Sequence, residues 1–394
     1  MDIETDILVV GGGIGGVVLA ELLARAGKRV LVVERNLGPP PFLRPEVLWP
    51  SAVQTLFSLR DRIDWEKDSF RPVGGLVLDR GGRLQTIISP ARLRAAGIQP
   101  YFENPNQTRE MLLAQCRAEV RRGVEVVDVI HHAGAVRGVH ARNRESGETY
   151  SISAGLTVGD DGADSRVRDA CGIEIALKPF PVDFFVCGLP WPSAWTPDVA
   201  RGLIPPRDDE SGLFGVGFVP VPGGLSATVA AVRADRTDDS AALAGAWKSM
   251  LATATSAPEE LHAVEFPGQF TRIGRRWGHA ARYGAPGAVL LGDALHPVSP
   301  AGGQGANMAI ADAVALSRLI IAGRPDLVRD YEAARRAPND RGLRPTRLAA
   351  RIVGARDHPI LASFVGFVAP RLLGIPGIGP AVLRTLARGS ANPD

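Results

Sequence analysis

Three stretches of this 394-residue chain carry residue types that chemistry could use. The first is Gly11-Gly12-Gly13-Ile14-Gly15-Gly16, which satisfies G-x-G-x-x-G at positions 11, 13 and 16. The first glycine permits a tight turn, the second lets the backbone approach a pyrophosphate, and the third lets helix and strand pack closely. Phosphates then lie at a helix N-terminus, where unpaired N–H groups and the dipole favour an anion. Glu34, 18 residues beyond Gly16, is placed to accept hydrogen bonds from the hydroxyls of an adenosine ribose. NAD fits the same turn, and Glu34 disfavours only the 2′-phosphate of NADP, so these residues leave the dinucleotide open.

The second stretch, Gly159 to Arg168, reads Gly-Asp-Asp-Gly-Ala-Asp-Ser-Arg-Val-Arg and follows the strand-like Leu156-Thr157-Val158. Taken alone, Asp161-Gly162 is a turn. The third stretch runs from Gly292 to Asn307. Its Asp293 ends a buried-strand pattern, where a carboxylate facing a polyhydroxyl group finds donors. The loop after it passes through Pro300, Gly302, Gly303, Gln304, Gly305, Ala306 and Asn307, with few side chains to cover its backbone, and then starts a helix. Backbone N–H groups there can stabilise negative charge on a ring such as a reduced flavin. His296 is a candidate base, although a structural role is commoner for a histidine so placed. His131-His132 reads as a solvated strand end rather than a metal site.

These groups need elements to position them. Ile7 to Val10 is a short buried strand, Ile14 to Ala26 has apolar residues at helical spacing ending at Gly27, and Val30 to Val33 is a second strand. Such strand-helix-strand units build parallel sheets. Residues 36–45, with Gly38-Pro39-Pro40-Pro41, form an extended loop, 106–122 read as helix, and Gly123 to Ile130 as strand. Gly75 to Ile88 reads as two strands around Arg80-Gly81-Gly82, and 181–232 repeat that texture about Pro222-Gly223-Gly224. A β-rich unit assembled from two separate segments follows. Val289 to Leu291 is another buried strand, Ala306 to Ala322 an alanine-rich helix, and the tail from 327 is helical with proline interruptions.

Composition narrows the classes. At roughly 150 residues per domain the length allows two or three domains. Formal charge is +3, and no run of five or six like charges or basic-aromatic interleaving points to nucleic acid. Three cysteines without C-x-x-C spacing suit neither a disulfide framework nor zinc, and fit a reducing cytoplasm. The apolar stretch Ile7 to Ala20 follows Asp2, Glu4 and Asp6 and is interrupted by glycines, so it does not read as a signal peptide. With no 18-residue uninterrupted apolar run, an integral membrane segment is not expected.

The three motifs, in this order and at these separations, resemble the class A flavoprotein monooxygenases, the para-hydroxybenzoate hydroxylase family, whose pattern ubiquinone-biosynthesis hydroxylases share. The resemblance covers about residues 3–335. It implies an α/β fold: a Rossmann-like FAD-binding domain, a discontinuous β-sheet substrate domain and C-terminal helices. The corresponding ranges are 1–70, 100–175 and 270–330, then 71–99 and 176–269, then 331–394. It also implies that Gly11, Gly13, Ile14, Gly15 and Gly16 hold the pyrophosphate of non-covalent FAD, and Glu34 with Arg35 the adenosine end. Arg44 and Arg109 resemble family residues beside FAD, while Asp161 and Gly162 match an Asp-Gly motif closed by Arg168. Asp293 matches the aspartate on the ribityl chain, and Pro300 to Asn307 the loop beneath the isoalloxazine. Asp160 departs from the small uncharged residue usual there, and is expected to face solvent. Trp191 and Trp195 are spaced W-x-x-x-W, unlike the W-x-W-x-x-P of flavin halogenases.

The activity implied is NAD(P)H-dependent insertion of one atom of O2 into an aromatic, phenolic or quinol-like molecule through a flavin C4a-hydroperoxide. NAD(P)H acts as a transient co-substrate, since no second G-x-G-x-x-G follows a strand. A reductase or dehydrogenase of the same fold and a membrane-surface quinone hydroxylase are the alternatives. The apolar, glycine- and proline-broken segment Ile360 to Leu386 supports the latter.

Overall fold

The apolar run Ile7-Leu8-Val9-Val10 offers no polar face, as suits a strand covered on both sides. In the computed structural model, which describes residues 3–59, 69–205, 210–273, 276–298, 303–348 and 377–388, it closes strand β1 (Ile3–Val10) and is fully buried. Gly11 then takes φ +104°, and a Cβ there would lie 2.2 Å from the Asp160 carbonyl oxygen. Only glycine satisfies both demands. Helix α1 (Ile14–Arg25) buries Val17, Val18, Leu19 and Leu23 against the sheet and ends before Gly27, which supplies the left-handed exit at φ +77°. Strand β2 (Val30–Glu34) returns parallel to β1.

On the other side of β1 lies β3 (Thr149–Gly159), also parallel, and beyond it β4 (Ala288–Leu290). The strand Glu119–Arg122 extends the parallel run past β2. The antiparallel pair Val124–His132 and Ala135–Asn143 leads into the first half of β3, and the short strand Gly284–Ala285, antiparallel to β4, completes an eight-stranded sheet. Val10 pairs with Val33 and with Gly159, and Gly159 pairs with Leu290. The four labelled strands therefore stop on one line, and the loops that follow them open at one edge.

Helices cover this sheet. The long helix α2 (Gly305–Ile321) packs on α1 and on α3 (Leu327–Gly342), which accommodates Pro338 inside it. A second sheet has seven strands, and the hairpin Gly75–Arg80 and Arg83–Ile88 joins it by parallel pairing with Val199–Ile204. The helix Ser240–Thr253 covers one of its faces, with Trp195, Phe218, Trp247, Phe266 and Phe270 between them. Trp191 and Trp195 meet edge to face at 5.4 Å in this cluster, so they are packing groups.

Two readings of the sequence change. The helix expected over 106–122 is Pro105–Gln115; Cys116 leaves helical geometry, and Glu119–Arg122 instead takes the open edge of β2. Strand Thr271–Ile273 pairs with Val182–Pro190, so the second sheet extends past residue 270. Among the described residues no helix is long and apolar enough to cross a membrane. Most of the segment 360–386 lies outside the described residues; in the helix Ile378–Arg388, Leu383 packs with Val73, Leu93 and Phe102.

Leu8 is completely buried at the centre of the first sheet. Leu8→Ala should lower stability by about 2–5 kcal/mol through lost transfer energy and a cavity. Urea unfolding should show a lower midpoint at unchanged slope.

Candidate active site

The aligned strand ends bring the three sequence motifs together. Helix α1 begins beneath the first loop, and its N-cap residue Gly13 brings no side chain to cap it. Gly12 N donates to Glu34 Oε2 at 2.8 Å and Asn36 N to Glu34 Oε1 at 2.8 Å, so the buried Glu34 carboxylate braces the glycine turn. Arg109 projects from the helix Pro105–Gln115, which Asn104 caps through Gln107 N. One of its terminal nitrogens stands 3.8 Å from Glu34 without a hydrogen bond, and its buried Nε is likewise unpaired.

After β3, Asp161 Oδ2 accepts from Arg166 N at 2.8 Å and Val167 N at 3.2 Å. Its other oxygen is buried and unpaired, and burial raises its proton affinity. Gly162 turns the chain at φ +87°. Arg168 donates to Ala163 O at 2.9 Å and to Ala294 O at 3.2 Å, tying this loop to the one that carries Asp293. Asp160 does not face open solvent as expected. Its side chain turns under the glycine loop and accepts from Gly16 N at 2.8 Å.

Asp293 sits in a single turn, Gly292–Ala294, entered through Gly292 at φ +57°. Behind it His296 is buried, with Nε2 2.5 Å from Asp312 Oδ2. Asp312 also accepts from Arg335 Nε at 2.6 Å and from Asn339 Nδ2 at 2.9 Å. Burial alone would raise the Asp312 carboxyl, but His296 and Arg335 outweigh it and hold it at about 2. The interaction joins the Asp293 loop to α2 and α3.

The loops surround a cleft of about 430 Å³. Gly11, Gly13, Ile14 and Gly15 line it from the first turn, and Glu34, Arg35, Arg44 and Arg109 from the next side. Asp161, Gly162 and Asp293 line it from the loops after β3 and β4, and Gly303, Gln304, Gly305 and Ala306 from the start of α2. Gly16 and His296 are not among the lining residues, nor is Asn307. Asn307 accepts from Trp49 N at 2.8 Å and donates to Val47 O at 2.8 Å, pinning the strand Glu46–Leu48 to α2. Pro300 and Gly302 lie outside the described residues.

The sequence reading placed the substrate unit in the second sheet but named none of the residues that it brings to the cleft, Phe184, Val186, Val229 and Ile273. It also passed over Asp312, whose signal was available: it is the only acid of α2, set among Ile310, Ala311, Ala313 and Val314. A carboxylate in such a stripe needs a buried partner.

The FAD binding domain family matches residues 4–341. The chain belongs to this family of FAD-dependent monooxygenases. A 6-methylpretetramide 4-monooxygenase of Streptomyces rimosus is 31% identical over 373 residues, covering 85% of this chain and 81% of the relative. Squalene epoxidase 1 of Arabidopsis thaliana is 26% identical over 336 residues; the match covers 81% of this chain but only 60% of that relative. Among solved structures, Klebsiella pneumoniae HpxO complexed with FAD and uric acid superposes with TM-score 0.77 at 20% identity, covering 98% of this chain and 97% of the other. That likeness extends to the fold. The residues of this FAD-binding monooxygenase fit the cofactor: Arg109 donors and an Asp161 oxygen that make no hydrogen bond, and a glycine turn at a helix N-terminus, all border one cleft.

Asp312→Ala strands the buried Arg335 guanidinium, and should destabilise the protein by about 3–5 kcal/mol. In the wild type the carboxyl of Asp312, held at about 2, is depressed on folding. Its stabilisation is therefore complete above the ordinary carboxylate pKa of about 3.9 and is lost as pH falls toward the folded value. Denaturant unfolding of both proteins across that acid range should show the difference between them shrinking.

Proposed function

We propose that the chain is an NAD(P)H-dependent monooxygenase that inserts one oxygen atom from O2 into an aromatic, phenolic or quinol-like small molecule. The observation that carries this reading is the two-sided cleft. Polar loops at the strand ends form one side, and the apolar group Phe184, Val186, Val229 and Ile273 faces them from the other sheet. Such a wall suits a flat apolar ligand and keeps water from the reacting atoms.

In this reading Gly11, Gly13, Ile14 and Gly15 hold the pyrophosphate of FAD, with Glu34, Arg35 and Arg109 toward the adenosine, while Gly16 lets the turn close over Asp160. Asp161, Gly162 and Asp293 take the middle of the cofactor, and Arg44 with Gly303 to Ala306 its ring end, which Asn307 braces from behind. Bound FAD supplies the electron transfer from NAD(P)H and the activation of O2. The protein contributes orientation, exclusion of water and the dipole of α2, whose N-terminus opens on the cleft at Gly305 and Ala306. His296 is a positioning residue here, because its Nε2 is committed to Asp312. The two sheets support the division into a cofactor domain and a substrate domain.

The name of the 6-methylpretetramide 4-monooxygenase supports an aromatic substrate, and that of the squalene epoxidase makes epoxidation a second outcome of oxygen insertion. With a phenol or quinol panel and NADH, ¹⁸O-labelled oxygen gas should leave one labelled atom per turnover in the product. NADH oxidation that yields only hydrogen peroxide with every bound compound would favour a reductase. Asp293→Ala should weaken FAD binding by about 1.5–3 kcal/mol, the worth of a hydrogen bond to a charged group. Titration of the apoprotein by flavin fluorescence measures it.

A further inference from the structure

Strands β1 and β3 end side by side, so the residue after β3 meets the turn after β1. Asp160 N donates to Val10 O at 2.8 Å, which fixes the backbone, and Oδ2 accepts from Gly16 N at 2.8 Å. A Cβ at Gly13 would lie 2.4 Å from that oxygen, and one at Gly16 2.7 Å from it. A Cβ at Gly292 would lie 2.7 Å from Oδ1. Glycines of two different loops thus enclose this carboxyl, and Asp160 also lines the cleft. The bare turn that can admit a phosphate already holds an acid.

Its neighbours are acidic. Asp161 adjoins it, Asp293 faces it from the loop after β4 and Glu34 from β2, while Tyr331 of α3 lies within its electrostatic reach. Helix α1 contributes the Gly16 N–H, and α2 approaches the turn with the uncharged Ala309 beside Gly15 and Gly292. Burial first, then these three carboxylates, raises the proton affinity of Asp160, against the Gly16 hydrogen bond.

We propose that Asp160 is a proton-linked cofactor-binding residue: protonated, it shares the pyrophosphate cradle with FAD, and ionised, it repels FAD. The proposal rests on the reading that this cleft takes FAD. The sign follows from linkage. A bound diphosphate adds negative charge beside the carboxyl and raises its pKa above that of the free protein. Between those two values binding takes up a proton, and FAD affinity falls by up to about tenfold per pH unit as pH rises.

The test is the dissociation constant of FAD, measured by fluorescence titration of the full-length apoprotein from mildly acid to mildly alkaline pH. The wild type should lose affinity with rising pH, and Asp160→Asn should bind with a flat profile. A flat wild-type profile, or an equal slope in the variant, overturns the proposal. No FAD binding by the wild type at any pH overturns the cofactor reading, and this proposal with it. If Asp160→Asn does not fold, calorimetry of FAD binding to the wild type in buffers of different ionisation enthalpy reads the same linkage. Net proton uptake is expected; none, or release, overturns the proposal.

Discussion

The structure depends on the register of one parallel sheet. Val10, Val33, Gly159 and Leu290 are neighbours across β2, β1, β3 and β4, so four chain reversals begin at the same height. Motifs separated by more than a hundred residues become adjacent walls of a single cleft. The apolar runs that build these strands thus position the polar loops. A one-residue slip in any pairing would move its loop by a strand step of roughly 3.3 Å and turn its side chains to the other face.

Register alone leaves the loops free to tilt, and buried charge limits that freedom. Asp312 holds His296, Arg335 and Asn339 around one carboxylate, connecting the loop of Asp293 to both long helices. Arg168 adds carbonyl contacts to the loops after β3 and β4 together. Neither device stabilises cheaply, because removing ions from water is costly. What they add is geometry, and the loops that border the cleft gain it without side chains that intrude.

The β1–α1–β2 unit was readable because a strand covered on both faces is a continuous apolar run, and because glycine at position 11 has a steric reason. The hairpin about Gly81-Gly82 and the turn at Gly223-Gly224 were readable from turn chemistry, as their positive φ angles bear out. Tertiary pairing was not readable. Glu119–Arg122 is a strand because β2 offers it an edge, and nothing local says so. Asp160 illustrates the same limit at the site: an acid in a turn reads as solvated until the sheet places it beneath another loop. The apolar wall was anticipated as a region, while Phe184, Val186, Val229 and Ile273 required the alternation of the second sheet to be seen in place.

That wall comes from a different sheet than the loops opposite it, and its side chains are hydrocarbon. Changes of volume there alter the shape of the cleft without touching a hydrogen bond that braces the strand ends. Mutation can therefore reshape the cleft on one side while the loops on the other keep their bracing. An architecture divided in this way lets descendants diverge in what they accept while inheriting how they operate.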